Sequence, residues 1–100
     1  MNDERDFAQM VNRGSEASSI LANPIFKESM SKLKDEITRE WHNCPIRDTE
    51  GQQLLLQLAK IADKFEGLLV GAVETGKMGK IRLEALRSDS PAKRLLRRAF

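Results

Sequence analysis

Apolar residues recur along this chain in two helical patterns. The first opens at Asn23-Pro24. Asparagine suits an N-cap because its side-chain oxygen accepts an otherwise unpaired helix N–H, and proline at the first helical position has its φ already set. Phe26, Met30, Leu33, Ile37 and Trp41 then follow at steps of four, three, four and four, which is one stripe on an α-helix. Charged residues from Lys27 to Glu40 fill the remaining face. Pro45 disfavours helical dihedrals at Cys44, so this helix should stop around Asn43. Trp41 shares the stripe with Ile37 and Leu33 and is expected to be buried at the end of the helix.

The second pattern starts at Arg47-Asp48-Thr49-Glu50. Thr49 followed by Gln52 matches a capping box, with Asp48 as the competing N-cap. Asp48 and Glu50 both complement the helix dipole. Leu55, Leu58, Ala62, Phe65, Leu69 and Ala72 alternate steps of three and four, and Leu54, Ile61 and Leu68 run beside them at steps of seven. The two series make an apolar band wider than one partner helix covers. Gly67 and Gly71 offer a place for close helix approach, and Gly76 reads as a C-cap.

Outside these patterns the signal is weaker. Phe7, Met10 and Val11 mark at most a short helix, which Gly14-Ser15 and Ser18-Ser19 should end or loosen. Lys77 to Arg87 reads as a third helix or a continuation of the second. Ser88-Asp89-Ser90-Pro91 is a break and a new start, with Ser90 as N-cap. The expected organisation is a flexible N-terminal arm over 1–22, a helical hairpin and extension over 23–87, and a basic C-terminal helix over 88–100. No strand pattern or internal repeat is present. The short link from Cys44 to Asp48 favours an antiparallel hairpin.

The expected fold is therefore all-α, an antiparallel helical hairpin with short flanking helices, completed by oligomerisation. A fully buried leucine or phenylalanine contributes roughly 1.5–3 kcal/mol, so a hairpin that left Leu54, Ile61 and Leu68 wet would forfeit several kcal/mol. Leu54, Leu58, Ile61, Phe65 and Leu68 form the expected oligomer interface, most simply a symmetric dimer with a four-helix core.

Composition bounds this picture. At 100 residues the chain is at most one small domain, and four Phe, one Trp and no Tyr leave little material for a dense monomeric core. The net charge is only +2, but it is divided unevenly. Residues 1–76 carry nine basic and thirteen acidic side chains, net −4, and residues 77–100 carry eight and two, net +6. A single cysteine, Cys44, excludes an internal disulfide and fits a reducing compartment. The charged N-terminus lacks the apolar core of a signal peptide, and no apolar run is long enough to span a bilayer. The expected location is a cytoplasm.

Candidate chemistry is sparse. His42 and Cys44 are near each other, but no other His or Cys exists to complete a tetrahedral zinc site. Glu36, Glu40, Asp48 and Glu50 gather near the hairpin tip, yet they alternate with Lys34, Arg39 and Arg47 as on an ordinary solvated face. Gly76-Lys77 lacks the spacing of a phosphate-binding loop and follows a helix instead of a strand. No catalytic residue, metal site or cofactor is expected. The C-terminal segment carries more weight. Lys93, Arg94, Arg97 and Arg98 group on one helical face opposite Leu95, Leu96 and Phe100. Such a helix suits an acidic protein groove first and nucleic-acid phosphate second. An anionic membrane surface is the least expected target.

From Trp41 through His42-Asn43-Cys44-Pro45-Ile46 to Arg47-Asp48-Thr49-Glu50, then Leu58, Phe65 and Glu74-Thr75-Gly76-Lys77, the chain resembles small helical proteins of tailed bacteriophages and prophages. The resemblance spans roughly residues 23–80. It implies a phage-encoded protein, from a head-morphogenesis region, in a bacterial host cytoplasm with the virion as a further address, and carries over no activity or residue role. Scaffolding proteins of such phages share the layout of a helical oligomer with a basic C-terminal helix, an analogy of layout alone. The expected function is a non-enzymatic phage assembly or virion-associated interaction protein, scaffold-like or a head accessory. It would be a homo-oligomer, docking on another protein such as a coat or head component through its C-terminal helix. The alternatives are a small nucleic-acid-binding packaging or regulatory protein, and a phage-encoded inhibitor of a host protein.

Overall fold

In a computed structural model, residues 3–88 are described, and they are all-α. Helix α1 spans Asp3–Ala22, α2 spans Pro24–Asn43 and α3 spans Thr49–Ser88. They fall into two packed units, residues 3–17 with 71–88 and residues 18–70. Helix α3 contributes to both.

The 18–70 unit contains the hairpin the sequence anticipates. Asn23 is extended (φ −66°, ψ 125°), and its Oδ1 accepts from the backbone N–H groups of Ile25 (2.8 Å) and Phe26 (3.1 Å). This single residue separates α1 from α2. Cys44, also extended, ends α2 and donates its backbone N–H to the Trp41 carbonyl at 3.3 Å. The Cys44–Asp48 link is fixed at its far end by Asp48, whose Oδ1 accepts from Gly51 N–H at 3.0 Å. Asp48 is thus the N-cap that wins over Thr49. Gln52 turns back across the link instead, donating to the carbonyls of Cys44 (3.2 Å) and Pro45 (3.4 Å). Antiparallel packing of α2 on α3 then brings Phe26 to Phe65, ring centroids 6.1 Å apart, and Lys34 to Glu66 and Asp63.

The other unit departs from expectation. The first 22 residues, expected to be a flexible arm, hold a helix as long as α2. Asp3, Glu4 and Asp6 in its first turn favour its dipole. Gly14 lies buried within it and does not break it. The same holds on α3: Gly76 is no C-cap, and residues 77–88 continue the helix without interruption. Both glycines are explained by one contact. A Cβ on Gly14 would come within 2.8 Å of Gly76 Cα, and the reverse distance is also 2.8 Å. A Cβ on Gly79 would meet Met10 Cβ at 2.8 Å and the Phe7 carbonyl oxygen at 3.0 Å. The two backbones touch, and only glycine fits. Outward from that contact, Arg82 lies over the Phe7 ring (5.8 Å) and Arg87 reaches Glu4 (3.4 Å), so the segments run antiparallel. Ala17 and Leu83 are the buried apolar side chains of this unit.

Candidate interaction surface

The core is small. Ala17, Met30, Ala62 and Leu83 are its buried apolar residues, and no described side chain is fully enclosed. The broad apolar band of α3 accounts for much of the remainder, because the structure divides it. Leu55, Ala59, Ala62 and Leu69 are buried or half-buried in the 18–70 unit, whereas Leu54, Leu58, Ile61, Phe65 and Leu68 are each 50–66% exposed. At 100° per residue, the exposed five share one face of α3, displaced from the face that carries Ala62 and Leu69. Their steps are four, three, four and three. These are the five residues the sequence marks as an interface, and they stand together on an open stripe.

Helix α2 contributes less than its stripe promised. Met30 is buried and Phe26 and Ile37 are half-buried, but Leu33 is exposed and Trp41 is 51% exposed. The expected burial of Trp41 is therefore corrected. Two helices in one layer cannot enclose an indole, and this one rests edge-on against His42 (5.3 Å, 69°). It also lines an open groove with Ile37, Thr38, Leu55, Leu56 and Ala59. Ile46, at the tip, is 93% exposed.

Electrostatics keeps the chemistry quiet. The Cys44 thiol is half-buried, and that desolvation raises its pKa. The Asp48 carboxylate, 3.8 Å from Sγ, and the charge of Glu40 push it further up. A thiol held protonated is a poor nucleophile. Asp48 is occupied as a helix cap. Among the described residues, no group of three or more His, Cys, Asp or Glu could hold a metal ion. Lys77 lies in mid-helix, paired with Glu74 at 3.4 Å. The Lys34 ammonium has its pKa raised, chiefly by its bond to Glu66 and then by the charges of Glu66 and Asp63. No helix among the described residues is long and apolar enough to cross a membrane.

The docking residues Lys93, Arg94, Leu95, Leu96, Arg97, Arg98 and Phe100 lie outside the described residues. The glycine contact escaped the sequence reading, and the two glycines that were singled out, Gly67 and Gly71, have nothing within 4 Å of an added Cβ. The useful signal was small residues in two distant segments, Gly14 and then Gly76 with Gly79, which apolar periodicity does not register; Gly14 meets Gly76, and Gly79 lies against Phe7 and Met10. The fold and surface together define an all-α chain with an open apolar helix face. Comparisons with protein-family models, with curated proteins and with solved structures each find no match.

Proposed function

We propose that this is a non-enzymatic interaction protein of a tailed phage or prophage. Its helical body assembles through α3, and its basic C-terminal segment docks on a protein of the head or virion inside the bacterial host. The observation that carries the reading is the open stripe of Leu54, Leu58, Ile61, Phe65 and Leu68, set against four buried apolar residues among those described. A contiguous exposed apolar face of this kind marks an interaction surface. The charge split supports a division of labour, with acidic 1–76 forming most of the body and basic 77–100 meeting the partner.

The test is cosedimentation with phage particles from induced host cells. The intact chain should travel with empty heads or mature particles, and a chain ending at Ser88 should not. A chain that stays free of particles overturns the assembly reading. If instead the intact chain binds a short DNA duplex with affinity falling log-linearly in salt, and Arg94→Glu with Arg97→Glu flattens that slope, the tail is a phosphate binder.

A further inference from the structure

We infer that the cover of the α3 stripe is the same stripe of a second copy, laid antiparallel across a two-fold axis at Ile61. This rests on reading the helical body as an assembling unit, and it names the partner and the register.

Three observations support it. The first is spacing. Leu54, Leu58, Ile61, Phe65 and Leu68 occupy successive core positions of a heptad pattern, at −7, −3, +4 and +7 from Ile61, so reversing the run about Ile61 restores it to within one residue, about 1.5 Å along the helix. Antiparallel pairing about Ile61 sets Leu54 against Leu68 of the second copy and Ile61 against itself, and brings Leu58 to within one residue of its Phe65. A two-fold interface requires that kind of self-complementary patch.

The second is the chemistry of the flanks. Along one side of the stripe run Gln57 and Lys64, both exposed, and along the other run Leu55, Ala62 and Leu69. In a parallel pair, each polar flank would face the apolar flank of the other copy, putting Lys64 beside Leu69. In an antiparallel pair, like flanks meet. Lys64 then sits opposite Gln57, so no like charges confront each other, and the two apolar flanks gather on one side.

The third is area. Five large side chains, each at least half exposed, offer on the order of 500 Å² of apolar surface per copy. Their complete burial in both copies would remove about 1,000 Å² in total, the lower limit for a specific interface.

The purified full-length chain tests this by sedimentation equilibrium and site-directed crosslinking. The intact chain should have the mass of a dimer at micromolar concentration, and I61D should halve that mass with unchanged helical circular dichroism. Crosslinking covers the possibility that I61D misfolds. With Cys44 replaced by serine, I61C should oxidise to a disulfide-linked dimer. L54C should not oxidise alone but should link to L68C when the two are mixed. A monomer mass for the intact chain overturns both this inference and the assembling body. A dimer in which L54C links to itself overturns the antiparallel register alone. If the intact chain is monomeric and the chain ending at Ser88 dimerises, the C-terminal segment was the cover and a second copy was not.

Discussion

Residues 3–17 with 71–88, and residues 18–70, are both antiparallel pairs of helical segments, yet they close by opposite means. In the first, glycine brings two backbones into contact, and a ring, a cation and an ion pair line the seam beyond it. In the second, larger side chains hold the helices apart. Met30 and Ala62 are buried there, while Trp41, Leu58 and Ile61 remain half or more exposed. The glycine contact leaves no space for anything else. The side-chain contact has more apolar surface than two helices can hide. Intimacy of packing and amount of apolar sequence are therefore separate properties: the unit poorer in large apolar residues brings its backbones closest, yet it too leaves Met78, Ile81 and Leu86 about half or more exposed.

The contrast can be broken most severely at Gly76. Leucine there would drive its Cβ into Gly14 Cα and the Met10 carbonyl, neither of which can swing aside. Overpacking of this kind should cost about 3 kcal/mol. Amide exchange should accelerate over 3–17 and 71–88 and stay slow over 24–43. The mirror experiment is Met30→Ala, which removes the largest buried side chain of the other unit. A loss of about 2 kcal/mol is expected, with protection falling in α2 and not in residues 3–17.

Gly67 and Gly71 sharpen the comparison from the other direction. Both are helical, and an added Cβ at either has nothing within 4 Å. Alanine at each position should stabilise the chain by roughly 0.5–1 kcal/mol through helix propensity alone. Both melting temperatures should rise, whereas Gly14→Ala should lower it. Four glycines, equally helical, would then divide by environment.

The smallest effect concerns Lys34. Its pKa is raised in the folded chain, so its ion pair contributes fully below the ordinary lysine value of 10.5 and is lost as pH rises through the raised value. Urea midpoints of the native chain should show an extra alkaline decline in that window. Lys34→Met should lack this component and differ little in slope between pH 7 and 9.

Much of this was legible in the sequence. Asn23-Pro24 and Asp48 are local signals, readable because a cap needs only its neighbours, and Pro45 sets the end of α2 in the same way. The open stripe was legible too, since Leu54, Ile61 and Leu68 lie off the series that faces α2. Trp41 was misjudged because a stripe gives direction but not depth, and depth depends on how many helices surround it. Helix α1 was missed for a different reason. Gly14 adds almost nothing to an apolar pattern, and its meaning appears only when Gly76 arrives opposite it, with Gly79 against Met10.

That distance along the chain has a consequence for the order of assembly. Glu4 and Arg87 are 83 residues apart when they meet, while Gln52 fastens the α2–α3 link over only eight. Loop closure favours the nearer contact, and distant contacts form more slowly. Helix α1 leaves the ribosome ahead of α2 and α3, but its glycine partner surface lies in the later half of α3. The first of the three helices to be made is thus the last to find its place.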